Sequence, residues 1–361
     1  MDDVMLARFA RLLVRYSIAA KKNEAISVDG TSAAEPLIEA VYEELLRVGA
    51  YPFVRMAPVE STRGFFLCAQ DHHLDRTAPF ETTLAKAMDG SIRIMSSTNT
   101  RALSAIDPAK QTRVAKARRA VRKIILAKKW SLTLFPTEAY AQDAEMSLRD
   151  FEDFVIKANF LDRKDPVAEW NKLERQHQKL IARLKGADEV RIVGPGTDLR
   201  MSIKNRTFIS SVATHNVPSG EIFTGPVEDS VEGHIAYDFP VCEGGREIDG
   251  IRLVFRAGRV VEASATKNEA YLLAMLDMDP GARRLGELGI GTNFGIQRFI
   301  KNILFDEKIG GTVHLALGES YPETGGVNKS SLHWDMIKDL RRDGALYVDG
   351  KLIQKNGRFV S

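Results

Sequence analysis

Hydrophobic and polar positions follow two different periods along this chain, and the change of period divides it. Leu6, Phe9, Leu12, Leu13 and Tyr16 recur at three-to-four-residue spacing, so the chain opens with an amphipathic helix. The run from Ala25 to Gly30 reads as a short strand ending in a turn. The stretch from Ala34 to Val48 is helical and closes on Gly49, the usual residue just past a helix end. Tyr51–Met56 and Ser91–Met95 read as further strands. Pro108 sits where a helix can begin, with Val114, Ala117, Val121, Ile124 and Ile125 as its apolar stripe, and a strand follows from Trp130. This alternation predicts an α/β domain with a mainly parallel sheet over residues 1–187.

Between Leu148 and Gly186 the spacing predicts two helices, broken near Asp165-Pro166. Beyond Val190 the texture changes. Glu189–Gly194, Asp198–Ile203, Gly233–Phe239 and Ile251–Phe255 are short strand-like pieces separated by turn residues, and one good helix interrupts them, Asn268 to Met278. Residues 188–361 are therefore expected to form a mixed or antiparallel α+β domain.

Composition narrows the function. A chain of 361 residues with 44% hydrophobic and 27% charged residues has the balance of a globular protein. A net charge of +3 is too small for a dedicated nucleic-acid or membrane-surface protein. The basic run from Lys110 to Lys129 falls off the apolar stripe of its helix and lacks interleaved aromatics, as on a solvated face. Two distant cysteines, Cys68 and Cys242, and a charged N-terminal segment lead to the expectation of a soluble, cytoplasmic protein with no membrane span. Gly194-Pro-Gly196 lacks the third glycine of a dinucleotide fingerprint, and no Walker loop occurs.

Metal-ligating residue types concentrate between residues 215 and 335, where His215, His234, His314 and His333 lie among glycines and carboxylates. His72 and His73 in a polar segment and His177 in a charged helix read as solvent-facing. In His333-Trp334-Asp335, side chains two apart share a face of an extended segment. An imidazole and a carboxylate can then enter one site while Trp334 packs behind; the plainer alternative is a surface His beside a capping Asp. Glu307 and His314 flank the turn Gly310-Gly311, and the strand-like run from Thr312 equally suits a core histidine. Glu221 and Glu287 sit among small and apolar residues, where a carboxylate is costly unless paired or coordinated. The competing explanations are a capping carboxylate and an ion pair with Arg283 or Arg284.

Six segments agree together with one family. Pro195–Leu199, Asn216–Pro226, Leu285–Asn293, Phe305–Gly318, Tyr321–Asn328 and Ser331–Ile337, in this order and followed by Tyr347-Val-Asp-Gly, resemble the aminopeptidase T and aminopeptidase S group of metallo-aminopeptidases. The match covers roughly residues 190–357, and the first half resembles the family only in pattern. The resemblance implies two divalent cations (Zn, Co, Mn or Mg) held among Glu221, Glu287, Glu307, His314, His333 and Asp335. It implies hydrolysis of an N-terminal peptide bond by metal-activated water, with Glu287 as candidate general base and Tyr321 as donor to the oxyanion. It also implies peptide substrates with a free N-terminus and a homodimer.

A rival reading is a mononuclear iron dioxygenase similar to the ring-cleaving dihydroxypyridine enzymes, with His314, His333 and Asp335 as its two-histidine, one-carboxylate triad. A single iron leaves Glu221, Glu287 and Glu307 without a purpose. A metal-free binding module leaves all six without one.

Overall fold

The computed structural model describes residues 1–360 and contains two compact units. The first comprises residues 1–169 and 213–218, the second 170–212 and 219 onward. The cut between these units falls within the helix Pro166–Leu184.

In the first unit, β1 (Ala25–Thr31), β2 (Tyr51–Ala57), β3 (Gly90–Met95) and β4 (Lys129–Leu134) form a parallel sheet in the order β2-β1-β3-β4. Asn216–Val217 adds to the free edge of β4, also parallel. Ile26, Val28, Ile92 and Ile94 are buried in its central strands, as parallel sheets covered by helices require. The opening helix Asp3–Arg11 buries Leu6 and Phe9 and runs into a π-helical turn, Leu12–Ser17, that buries Leu12 and Leu13. The helix Glu35–Arg47 is followed by Gly49 at φ +81°, a left-handed conformation that suits glycine. The basic helix Pro108–Leu126 buries only Val114 and Val121 of its predicted stripe.

The second unit contains two larger antiparallel sheets. One has eight strands and includes Glu189–Gly194, Thr197–Ser202, Glu232–Ala236 and Arg252–Arg256. The other is formed by β5 (Ile209–Ser211), β6 (Glu221–Thr224), β7 (Leu285–Gly291), β8 (Thr312–Gly318) and β9 (His333–Asp339), in the order β9-β8-β7-β6-β5. Both sheets contribute to a single apolar core, with Ile192, Leu199, Leu253 and Phe255 from one and Leu288, Ile290, Leu315 and Met336 from the other. Among the described residues no helix is long and apolar enough to cross a membrane.

Candidate metal centre

Strand alternation assigns each residue of the five-stranded sheet to one of two faces. Ile222, Leu288, Ile290, Val313, Leu315, Leu317, Trp334 and Met336 point into the core. The intervening positions Glu221, Glu287, His314, His333 and Asp335 therefore share the opposite face. Register then brings them together: Glu221 lies opposite Gly291, His314 opposite Gly289, Glu287 and Asp335 on either side of Ala316, and His333 opposite Gly318. Each bulky polar side chain thus has a glycine or alanine beside it, which leaves room for the polar groups to converge.

A bulge makes this possible for Glu287. The pairing shifts between Leu285 and Glu287, so Leu285 faces the core while Glu287, two residues on, faces the site. Gly286 is the inserted residue. A Cβ there would stand 2.3 Å from the carbonyl oxygen of Glu319 and 2.4 Å from that of Gly318, so no larger residue fits.

Glu307 arrives from outside the sheet, at the end of the short helix Ile303–Asp306. Asn302 caps this helix through the Leu304 amide, and the buried Asp306 carboxylate accepts the Ile300 and Asn302 amides at 2.8 and 2.7 Å.

The six side chains form three overlapping groups: Glu221, Glu287 and His314; Glu287, His333 and Asp335; Glu307, His314 and Asp335. Within each, one ligand atom per residue lies within 4.8 Å of the others. His314 Nε2 is 3.3 Å from Glu221 Oε2 and 3.3 Å from Glu287 Oε1, and His333 Nε2 is 3.4 Å from Glu287 Oε2 and 3.6 Å from Asp335 Oδ2. Glu287 therefore turns one oxygen to each imidazole. His333 Nδ1 lies 2.9 Å from the Glu319 carbonyl and donates its proton there, which aims Nε2 at the carboxylates.

The electrostatics follow from packing four carboxylates together. Burial raises the Asp335 carboxyl to about 6 despite the nearby His333. Burial likewise raises Glu307, with Lys308 opposing and Glu221 adding to the effect. Burial also opposes charge on Glu287, but its hydrogen bonds to His314 and His333 win and hold it at about 2. The imidazoles respond in the reverse sense. Against desolvation, the Glu287 hydrogen bond and surrounding carboxylates lift His314 to about 9, and Asp335 and Glu287 lift His333 to about 10. The surrounding carboxylates thus favour positive charge on both imidazoles.

The donor set tests the fit of a divalent ion. Glu221 Oε2 and Asp335 Oδ1 are buried without hydrogen-bond partners. Buried, unsatisfied carboxylate oxygens beside imidazole nitrogens are the donors that a hard or borderline dication takes. The residues fit such an ion.

Tyr321 packs its ring edge-on to His333, centroids 5.1 Å apart, and against Phe223 at 5.4 Å. Loss of hydration, then the charges of Glu287, Asp335, Glu307 and Glu221, raise its hydroxyl well above the usual range, so it stays an O–H donor. Trp334 is buried behind the strand, as the His-Trp-Asp spacing implies. The arginine alternative for Glu287 fails: Arg283 pairs with Asp277, and Arg284 donates to the Glu228 carbonyl.

Other histidines go elsewhere. His215 is exposed against Trp130, and His234 is exposed on the eight-stranded sheet. His72 and His73 are exposed as expected. His177 contradicts its solvent-facing assignment: it is 1% exposed, with Nδ1 2.8 Å from Ser210 Oγ and Nε2 2.7 Å from Thr292 Oγ1. The charged residues around it in sequence occupy the other faces of the same helix. Sequence reasoning also missed Lys308, a buried lysine bonded to both Glu221 and Glu307. Its signal was a lysine directly beside the candidate ligand Glu307 and just ahead of the apolar, glycine-rich run from Ile309.

A carboxylate–imidazole cluster of this composition suits a divalent metal ion. The chain belongs to the thermophilic metalloprotease family M29, whose sequence profile matches residues 2–359. It is thus a metallopeptidase, a hydrolase that works with divalent metal. It is 27% identical to aminopeptidase T of Thermus thermophilus, with 98% of each chain covered. The solved structure of wild-type AmpT from that organism superposes with a TM-score of 0.84 at 26% identity, over 99% of both chains. The 2,5-dihydroxypyridine dioxygenase of Pseudomonas putida shares the fold at a TM-score of 0.55 and 16% identity, over 99% of this chain and 96% of that one.

Proposed function

We propose that the protein is an aminopeptidase that releases residues from free peptide N-termini at a site holding two divalent cations. Glu221, Glu287, Glu307, His314, His333 and Asp335 are the proposed ligands. The observation that carries this reading is the sharing of Glu287, His314 and Asp335 between neighbouring groups, since a single ion needs only one such group. Similarity to aminopeptidase T over the whole chain supports the N-terminal specificity.

Bound divalent ions supply Lewis acidity at the scissile carbonyl and acidify water. The chain's own groups do the rest. Glu287 is the proposed acceptor of the attacking water's proton, because its two oxygens reach both halves of the cluster. Tyr321 donates its hydroxyl proton in a hydrogen bond to the developing oxyanion. A cleft lined by Val241, Glu243, Phe299, Ile303, His333 and Asp335 is the proposed seat of the substrate's first residue, with Glu243 as the carboxylate for its amine.

The dioxygenase reading is weaker, because His314, His333 and Asp335 do not form one close group among the described residues; every group includes a glutamate. A homodimer remains part of the proposal on the strength of the family resemblance, and a cytoplasmic location on the two distant cysteines; sedimentation measures the oligomeric state. The deciding experiment measures metal content with hydrolysis of leucyl-p-nitroanilide and its N-acetyl derivative. About two divalent ions, cleavage of the free amine alone, and chelator sensitivity support the reading. One iron per chain with no peptide hydrolysis overturns it.

A further inference from the structure

Lys308 is the one buried cation of the cluster that is not an imidazole. Its side chain is 1% exposed, and its ammonium donates to Glu221 Oε1 at 2.6 Å and to Glu307 Oε1. These carboxylates come from different elements, the start of β6 and the end of a short helix. They also belong to different groups, Glu221 with Glu287 and His314, Glu307 with His314 and Asp335.

An ammonium on one oxygen of a carboxylate fixes which oxygen is left to offer. In Glu221 the remaining Oε2 is buried, without a hydrogen-bond partner, and 3.3 Å from His314 Nε2. Glu307 is bonded to Lys308 through Oε1 in the same way. We propose that Lys308 is a positioning residue that holds Glu221 and Glu307 as single-oxygen ligands, one in each of two overlapping groups. This rests on the two-cation reading above and deepens it.

Charge points the same way. Four carboxylates and one ammonium leave three negative charges when the imidazoles are neutral. One dication leaves the cluster anionic, whereas two leave a single positive charge to set against a developing oxyanion. Without Lys308 the carboxylates repel, and each can swing to offer both oxygens. A lysine suits this role, because a compact point charge with three donors reaches two carboxylates from one buried position.

The test measures metal binding rather than turnover. Isothermal titration of Zn or Mn into the metal-free full chain is compared for the native protein and Lys308→Met, which keeps an apolar stem. The expected result is two ions in the native protein and a Kd weakened about 10- to 100-fold for at least one ion in the variant, the range for residues that hold ligands in place. A purely structural lysine lowers the melting temperature and leaves Kd unchanged. A folded Lys308→Met that binds two ions with native Kd overturns the role of Lys308 and leaves the two-cation reading standing. Fewer than two ions in the native protein overturns both. Should the variant not fold, a crystal structure of the metal-loaded native protein decides. Glu221 and Glu307 each ligating through one oxygen, with the other still on Lys308, is expected. Bidentate carboxylates or a displaced lysine overturn the proposal.

Discussion

The imidazole of His314 lies directly against Gly289 on the neighbouring strand: a Cβ at 289 would stand 2.0 Å from both Cε1 and Nε2 of that ring. The ring reaches Glu221 and Glu287 only because nothing projects from the residue opposite. Gly289→Ala is therefore expected to push His314 out of the cluster. Overpacking of this kind costs about 1–3 kcal/mol. Metal analysis and a thermal melt on the purified variant should show lost metal alongside a moderate fall in stability.

Stripping the metal should destabilise the protein as well as silence it. The four carboxylates then depend on protonated imidazoles and Lys308 for compensation. An ion present at a hundred times its Kd stabilises the folded state by about 2.7 kcal/mol per site. A melting temperature that rises with added Zn, Co or Mn and falls with chelator is the expected outcome, measured by calorimetry.

Glu287→Gln and Tyr321→Phe separate two proposed roles. Loss of a general base lowers turnover by about 10²–10⁴-fold. Loss of one oxyanion donor costs about 10²–10³-fold in kcat. Tyr321→Phe should retain metal and leave KM little changed, since its ring contacts with His333 and Phe223 survive. Steady-state kinetics with leucyl-p-nitroanilide reads both. A Tyr321→Phe enzyme with native kcat would remove the tyrosine from the mechanism.

Acid should act on the second unit through His177. Burial lowers this imidazole from 6.5 to about 4, with Glu174 opposing weakly. The unfolded chain therefore takes up a proton below pH 6.5 that the folded chain refuses until about pH 4. The stability His177 contributes is complete above pH 6.5 and is lost as pH falls toward 4, by at most about 3 kcal/mol. Denaturant melts between pH 7 and 4.5 should show this decline, and His177→Gln should flatten that part of it.

Local pattern carried much of this protein. Helical spacing marked the opening helix, Glu35–Arg47 and Pro108–Leu126, and the period-two pair His333 and Asp335 did fall on one face with Trp334 behind. These are properties of neighbours in sequence, which the backbone geometry of one element suffices to express. The parallel and antiparallel halves were legible for the same reason, from the change of period near Val190.

What the sequence alone offered was therefore a set of candidates: Glu221, Glu287, Glu307, His314, His333 and Asp335, the six that the family resemblance implies as ligands, with His215 and His234 beside them. Only the tertiary structure decided which of them meet. Glu287 reaches the site because Gly286 forms a bulge, without which strand alternation would place it on the face of Leu285. His177 is buried because its helix turns that one face toward Ser210 and Thr292. Lys308 joins Glu221 and Glu307 across 87 residues of chain in one case and a single peptide bond in the other. Strand register, a bulge and the docking of a short helix are long-range outcomes of packing, and no local period encodes them.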